Sequence, residues 1–352
     1  MHRSPNYIIK FFLSTIMIFM GFSMCSENVY AQIDYRFIQF QQNPLPVNPA
    51  YSGIEDFVDL KLGYRVQWAG FENSPTNLYF SGNMAFRISP SNDYKHKGIR
   101  LFEPNAFNEL ENDNEFGYRK GKRHGIGFYI LQNSDAAFTN FAGYVTYAYH
   151  LRITNQLIWS VGAAVGYENN KFDPSGISVL NPTNDATYLA YLNGANRKSQ
   201  ININVGTIIY HRQFFLGYSA TNAASFNITG NNDFYNNQVE NLTHVAHFGF
   251  RYKWKYGVWV TPSLLIIKNK ETPIEAVGSL RIRYQDVAWA GIHYSYLGAV
   301  GLSAGTYLSK NIAFNYAYEF PATQLHRVTS GSHEVVLAFK LNNRNYSRAY
   351  LW

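Results

Sequence analysis

Apolar and polar residues alternate along most of the chain, and residues 58–68 show the pattern clearly. Apolar side chains stand at every second position of this stretch: Val58, Leu60, Leu62, Tyr64, Val66 and Trp68. The positions between them hold Asp59, Lys61, Gly63, Arg65 and Gln67. Because successive side chains of a β-strand point to opposite faces, the stretch predicts a strand with one apolar and one polar face. Its length of about 11 residues allows a tilted strand to cross a bilayer.

About 14 such stretches follow one another along the chain. They begin near Val58, Leu78, Gly125, Phe141, Leu157, Ile201, Phe214, Val245, Val258, Ile274, Val287, Ala299, Ile312 and Glu334. Three of them, near Phe214, Val258 and Ala299, alternate poorly. Closed bacterial barrels have an even number of antiparallel strands. The sequence therefore predicts an all-β fold, a transmembrane antiparallel up-and-down β-barrel of about 14 strands over residues 58–341.

The composition favours a membrane barrel over a soluble β domain, which would also alternate and remains the weaker alternative. Aromatic residues make up 17% of the chain and charged residues 15%. One face of many predicted strands carries Gly, Ala, Ser and Asn, while the other carries Trp, Tyr and Phe near the strand ends. A membrane interface accommodates such aromatic side chains. After residue 31, no apolar stretch reaches the roughly 18 residues of a transmembrane helix.

The first 31 residues have the pattern of a secretory signal peptide. His2, Arg3 and Lys10 give a positive region, an apolar stretch follows, and Ala31 ends the predicted cleavage site. Cys25 is the only cysteine of the chain and lies within this segment. We therefore expect residues 1–31 to be removed on export, which leaves a mature chain without thiols for disulfides, catalysis or metal binding.

The connections between the predicted strands indicate a topology. If the mature N-terminus starts in the periplasm, the even-numbered connections face the periplasm and should be short. They are short except for residues 89–123, a long periplasmic-side insertion rich in both charge signs. Two outer connections, 168–200 and 221–243, are long and rich in asparagine. Long loops in compact folds are often functional, so the insertion is either a solvated loop or a docking element for a periplasmic partner.

Two segments flank the predicted barrel. Residues 32–57 are rich in proline and asparagine, and residues 342–352 form a C-terminal tail. Proline fixes φ and lacks an N–H group, so the sequence NPLPVNPAYSG at 43–53 cannot form an interior strand or a helix. We expect this segment at the periplasmic mouth of the barrel or inside its lumen. It would act there as a stiff plug or brace, or as a partner contact.

The sequence shows no pattern of catalysis or of metal or cofactor binding. His244 and His247 are three positions apart on a predicted strand, and His333 is adjacent to Glu334, so each pair faces opposite sides. No glycine-rich phosphate loop precedes a helix. The net charge of +7 comes from scattered residues that suit interface anchors better than nucleic-acid contacts. We predict no enzyme activity, no catalytic residue, no cofactor, no metal and no nucleic-acid partner.

Two blocks of the sequence carry a family resemblance. The first runs from NPLPVNPAYSG to YRVQWAGFENSPT, and the second is SGSHE at 330–334. Together they resemble the PorP/SprF family, outer-membrane proteins of the type IX secretion system of Bacteroidetes. The positions that we single out, as structural or partner contacts, are Asn43, Pro44, Asn48, Pro49, Ala50, Tyr51, Gly53, Arg65, Gln67, Trp68, Ser330, Gly331, Ser332, His333 and Glu334.

The resemblance implies a non-enzymatic barrel in the cell outer membrane that takes part in protein secretion and gliding motility. It implies contacts with periplasmic ring or motor proteins of the secretion system and, for many members, with a large secreted adhesin. The barrel itself would contact outer-membrane lipid. The leading hypothesis is therefore a docking component that supports secretion or surface anchoring of a partner. The alternative is a passive outer-membrane channel for small solutes, because a barrel of about 14 strands can hold a narrow polar lumen.

Overall fold

The computed structural model describes most of the chain between residues 37 and 341. The described ranges are 37–55, 57–71, 73–88, 99–100, 123–154, 156–173, 183–185, 188–189, 197–211, 213–228, 242–270, 272–285, 287–296, 298–309, 311–321 and 327–341. The predicted signal peptide (1–31) and C-terminal tail (342–352) lie outside these ranges. So does the predicted 89–123 insertion, apart from residues 99–100 and 123.

Strands account for nearly all of the regular structure in these ranges. They are β1 (Val58–Val66), β2 (Thr76–Ile88), β3 (Ile99–Arg100), β4 (Arg123–Asp135), β5 (Phe138–Arg152), β6 (Leu157–Phe172), β7 (Arg197–His211), β8 (Phe214–Asn227), β9 (Thr243–Phe250), β10 (Tyr252–Lys253), β11 (Val258–Lys268), β12 (Glu275–Tyr284), β13 (Ala288–Ser295), β14 (Ala299–Tyr307), β15 (Ile312–Pro321) and β16 (Ser332–Leu341). Two short 3₁₀ turns, Pro49–Tyr51 and Lys255–Gly257, accompany them. None of the described helical turns has the length and apolar character needed to cross a membrane.

Fourteen of the sixteen described strands form one closed antiparallel ring. β1 pairs with β2 on one side and with β16 on the other, which joins the two ends of the sheet. The short strands β3 and β10 stand outside the ring and pair with β2 and β11. Closure provides partners for the backbone groups that a free sheet edge would expose to lipid. The predicted barrel of 14 strands is confirmed.

Each strand of the ring has an exterior and a luminal face. On β6, Val161 and Val165 are 46% and 53% exposed, whereas Ser160, which directly precedes Val161, is fully buried. On β1, Leu62 is 42% exposed and Lys61 is 2% exposed. The exterior is therefore apolar and suits lipid, while the polar side chains point into the lumen. This is the facing that the sequence predicts for both strands.

The two ends of the barrel differ, and we name them the Val58 end and the Val66 end after the ends of β1. Most strand connections at the Val58 end are short, and the β5–β6 connection is residues 153–156. At the Val66 end, the β6–β7 and β8–β9 connections, 173–196 and 228–242, are long. Short periplasmic turns and longer extracellular loops are typical of outer-membrane barrels. The Val58 end thus corresponds to the predicted periplasmic side.

The main apolar cluster of the described residues lies inside the barrel. It joins Leu45, Ile54 and Phe57, which precede β1, with wall side chains that include Tyr129 and Tyr210. All five side chains are buried. Residues from before the first strand therefore supply part of the core, and this side of the lumen is packed.

We expect Val165→Arg to lower the free energy of unfolding by about 2–4 kcal/mol, because it places a charge on the lipid-facing side near the middle of a spanning strand. Urea titration of the protein folded in lipid vesicles measures the change. Leu308→Arg is the matched control, since Leu308 is 64% exposed in a turn at the Val58 end. A charge near the interface costs only about 0–1 kcal/mol. Equal losses in the two variants would contradict the lipid contact of β6.

Candidate functional site

Residues 37–55, which we name the luminal segment, lie inside the barrel. They contact inward-facing residues around the ring, from β2 to β16. Asn43, Asn48 and Ala50 are at most 2% exposed. Within its described residues the segment forms turns and no strand, in keeping with its prolines. Side-chain contacts with the wall, rather than strand pairing, therefore hold it.

Asn48 fixes the central turn of the luminal segment to the wall. Its side-chain oxygen accepts a hydrogen bond from the amide of Ala50 at 2.9 Å and caps the 3₁₀ turn. Its side-chain amide donates to the carbonyls of Thr207 on β7 at 3.0 Å and Tyr218 on β8 at 3.2 Å. Pro49 follows at the start of the turn, where an N–H group would have no partner in the turn. One side chain thus joins the turn to two adjacent strands.

Glycines of the wall allow the luminal segment to approach β4 and β6 closely. A Cβ atom on Gly162 would lie 2.5 Å from the amide nitrogen of Ala50. A Cβ atom on Gly125 would overlap the carbonyl group of Ser52. Gly53 has a φ of +69° and lies against the main chain of Gly125. Both the backbone conformation and the lack of space exclude a side chain at this position. Small residues on the inner face of these strands therefore form the surface on which the segment rests.

Wall side chains also bind the main chain of the luminal segment. The carboxylate of Glu334 on β16 accepts hydrogen bonds from the amides of Ile38 at 2.6 Å and Gln39 at 3.2 Å. Four wall side chains bind carbonyls of the segment: Ser219 that of Val47 (2.5 Å), Ser160 that of Ala50 (2.9 Å), His150 that of Ser52 (2.8 Å) and Arg123 that of Glu55. The side-chain oxygen of Asn83 accepts from the amide of Gly53 (3.0 Å). Wall side chains thus bind main-chain groups along the whole segment, from Ile38 to Glu55.

Towards β8 and β9, the luminal segment packs through an aromatic side chain. The ring of Tyr51 is 3% exposed, and its centroid lies 5.2 Å from that of His247 on β9. Burial raises the pKa of Tyr51 well above its ordinary value, although the positive charge of Arg251 acts in the opposite direction. Tyr51 is therefore a neutral phenol at physiological pH and serves as a packing group.

Towards β12 and β13, the contacts are polar and leave a cleft. Gln41 donates a hydrogen bond to Ser279 on β12 at 2.6 Å. A small cleft lies beside it, and Gln39, Arg281 and His293 are among its lining residues. The amide group of Gln39 has no hydrogen-bond partner among the described residues, although Gln39 is only 5% exposed. Because such a group is costly in an apolar environment, this side of the lumen suits water.

A buried ion network lies beside the seam where β1 meets β16. Arg65 of β1 is 4% exposed and donates a hydrogen bond to Glu319 of β15 at 3.0 Å. Nε2 of His293 lies 3.6 Å from the second carboxylate oxygen of Glu319. Glu334 stands directly opposite Arg65 in the β1–β16 register. The carboxylate that holds the start of the luminal segment is therefore next to a buried positive charge.

The histidines take the facings that the sequence predicts. His247 is 3% exposed inside the barrel, whereas His244 faces the exterior and lies 2.6 Å from the Tyr218 hydroxyl. His333 faces the exterior and its neighbour Glu334 the lumen. Among the described residues, no group of three or more His, Cys, Asp or Glu side chains is placed to hold a metal ion.

Comparison with known families gives a match over most of the chain. The sequence profile described as "Type IX secretion system membrane protein PorP/SprF" matches residues 29–339. The chain belongs to the PorP/SprF family. With its closed ring and apolar exterior, this PorP/SprF barrel is an outer-membrane protein. No curated protein sequence matches it.

Solved structures similar to the PorP/SprF barrel are outer-membrane barrels of low sequence identity. The toluene transporter TbuX of Ralstonia pickettii is 11% identical, with a TM-score of 0.45, over 85% of this chain and 93% of that chain. The toluene transporter TodX of P. putida is 9% identical, with a TM-score of 0.42, over 84% and 92%. The outer membrane protein Omp33 of Acinetobacter baumannii is 7% identical, with a TM-score of 0.42, over 81% and 99%.

The positions singled out above from the family resemblance, here called the signature positions, fall into two groups. One group joins two loops at the Val66 end. The amide of Ala69 donates to the carbonyl of Gly331 at 2.7 Å, and the amide of Ser330 donates to the carbonyl of Ala69 at 2.7 Å. The amide of Trp68 donates to the hydroxyl of Ser332 at 3.3 Å. Gly331 has a φ of +89°, which favours glycine. Hydrogen bonds between the loop after β1 and the loop before β16 thus continue the β1–β16 pairing beyond the Val66 end of the strands.

Most of the remaining signature positions lie in the luminal segment or face the lumen. Asn43 accepts a hydrogen bond from Ser81 of β2 at 2.9 Å, and the carbonyl of Pro44 accepts two bonds that form the turn before Asn48. Gln67 is 7% exposed at the end of β1. The signature thus consists of a luminal group and a loop group, and His333 on the exterior belongs to neither.

Sequence reasoning missed the residues of the wall that receive the luminal segment. Ser160, Gly162 and Gly206 are inward-facing, and Asn48 or Ala50 lies against each of them. The available signal was the run of small residues at alternate positions in 157–167, which the sequence explains equally well by a polar lumen. In the folded chain, the partner of these small residues is the luminal segment.

We expect Asn48→Ala to lower the free energy of unfolding by about 2–4 kcal/mol, because three hydrogen bonds are lost in a buried site. Urea titration of the PorP/SprF barrel in vesicles measures the loss. Asn311→Ala, in an exposed turn at the Val58 end, is the control and should stay within about 0.5 kcal/mol of the wild type. Similar stabilities of the two variants would contradict the anchoring role of Asn48.

Proposed function

We propose that this PorP/SprF family member is a non-catalytic docking component of the type IX secretion system. It would connect periplasmic ring or motor proteins with the secretion or surface anchoring of a partner such as a large adhesin. The observation that carries the proposal is the family match over residues 29–339. The two ends of the barrel also differ in their connections, so each side of the membrane presents a different surface to a partner.

The periplasmic contact is proposed for the Val58 end, where the turn between β9 and β11 presents aromatic and basic side chains. Trp254 is 60% exposed and Tyr256 is 87% exposed. Tyr256 has a φ of +59°, a left-handed conformation within the tight turn. The ammonium group of Lys253 lies 5.7 Å from the ring centroid of Trp259. Exposed Trp and Tyr side chains are enriched at protein–protein interfaces, so the turn suits a protein partner.

The 89–123 insertion joins β2 to β4 at the same end, and we propose it as a second periplasmic contact. Its described residues are Arg123, which begins β4, and the strand β3, which pairs with the end of β2. On the opposite side, we propose that the two long connections contact the exported partner. The sequence predicts them at 168–200 and 221–243, and the observed strands shorten them to 173–196 and 228–242. These assignments rest on chain topology and on the family, and the signature residues of the luminal segment would support the barrel between the two contacts.

The passive channel is the less favoured function, because residues 37–55 cross the lumen and bind to strands on several sides of it. We expect the mature protein to show no steady conductance in planar lipid bilayers. The physical reason is that the luminal segment occupies the path that a solute would take. A steady ohmic conductance of the wild-type protein would support the channel function and contradict the plugged state.

We expect the double substitution Trp254→Ser and Tyr256→Ser to reduce the recovery of periplasmic secretion proteins about tenfold in affinity purification from native membranes, since exposed aromatic residues often dominate such contacts. Val328→Ser is the control, because Val328 is 60% exposed at the Val66 end. Unchanged recovery with the double variant would remove the turn from the docking surface. Loss of the variant from the membrane fraction would show instead that the turn is a lipid anchor.

A further inference from the structure

We infer that the lumen is a binding site for a polypeptide main chain, and that the luminal segment is its resident ligand. The hydrogen bonds from the wall reach amides and carbonyls at positions spread from Ile38 to Glu55. Groups of the main chain are common to all polypeptides. A wall that recognises them is suited to a peptide ligand as a class, with sequence requirements at only a few positions.

Two charged wall residues define the direction in which the ligand lies. The carboxylate of Glu334 accepts from two consecutive amides, those of Ile38 and Gln39. At the other end, the guanidinium of Arg123 donates to the carbonyl of Glu55. Hydrogen bonds to charged groups are stronger than those between neutral groups. A reversed chain would present carbonyls to the carboxylate, so the site binds one orientation of the peptide.

The same contacts determine which residues a ligand must have at these positions. Proline is excluded opposite Glu334, because both bonded positions must supply an N–H group. A small residue suits the position opposite Gly162, because Ala50 is fully buried there. Its main chain lies so close to β6 that a Cβ atom on Gly162 would be 2.5 Å from its amide nitrogen. An asparagine two positions before the small residue caps the turn and binds two wall carbonyls. The ligand class is therefore an unfolded polypeptide stretch with a small-residue turn.

The luminal segment can leave this site without opening the ring. Within its described residues it takes part in no strand pairing, and the ring closes through β1 with β2 and β16. On the β12–β13 side it borders the polar cleft, so no continuous apolar contact has to be broken there. The site is thus open to a second polypeptide that replaces the resident segment, which goes beyond the docking function proposed above.

The test uses the full mature chain with Ala50→Trp, since the buried position has no room for an indole. The variant should conduct in planar bilayers, while heat-modifiable gel mobility shows that the barrel is folded. A fluorescent peptide with the sequence of residues 37–55 is then added to the variant and to the wild type. We expect the peptide to block the conductance and to bind the variant at least about tenfold more tightly than the wild type. A peptide carrying the same Ala50→Trp change should do neither.

A second substitution separates main-chain recognition from simple obstruction. Adding Glu334→Gln to the Ala50→Trp chain should weaken peptide binding at least about tenfold, because the two amides bond to different carboxylate oxygens. In glutamine one of these oxygens becomes an NH2 group that cannot accept, and the other forms only a neutral hydrogen bond. If Ala50→Trp does not fold, Asn48→Ala serves as the background for the same titration, since it loosens the segment and leaves the wall side chains unchanged.

Three results would overturn the inference. A conducting variant that binds no wild-type peptide would show that the wall holds the segment only as part of the same chain. Equal binding of the wild-type and Ala50→Trp peptides would exclude the small-residue requirement. A folded Ala50→Trp chain without conductance would show that the approach to Gly162 does not hold the segment in place. Recovery of secretion proteins is measured separately, so its failure would leave this test unaffected.

Discussion

The pairing of β1 with β16 is the interaction on which the rest of the structure depends. A sheet in lipid cannot leave a row of backbone N–H and C=O groups without partners, so the ring must close. Once it closes with fourteen strands, it encloses a space that inward side chains must share with something else. Closure therefore determines which residues face the lumen and what space they have to fill.

In this chain, the luminal segment fills part of the space that the closed ring encloses. It meets two different surfaces: small residues and aromatic rings towards β4–β9, and polar groups with a cleft towards β12 and β13. The first surface allows close approach, and the second keeps part of the lumen suited to water. A plug built in this way is held firmly on one side while the other remains hydrated, which distinguishes it from the dry core of a soluble domain.

Most of the fold could be predicted from the sequence, because lipid and lumen impose opposite requirements on successive residues. Lys61 and Leu62 are neighbours with opposite environments, and such pairs recur along the ring. The candidate site could not be predicted in the same way, because turns have no periodicity. Asn48 shows the difficulty: its wall partners lie 159 and 170 residues further along the chain. A family signature identified Asn48 as notable, but only the folded ring shows what its side chain binds.

Glu334 connects the two ends of the chain, because it stands on the last strand and binds an amide 296 residues earlier. Side chains alternate with a period of two, so a ring that closed one residue out of register would turn this carboxylate towards lipid. The amides of Ile38 and Gln39 would lose their partner at the same time. The cost of placing a carboxylate in lipid and leaving two amides without partners would destabilise only the ring that closes out of register. One acidic residue therefore favours closure of the ring in the observed register, with the N-terminal segment inside it.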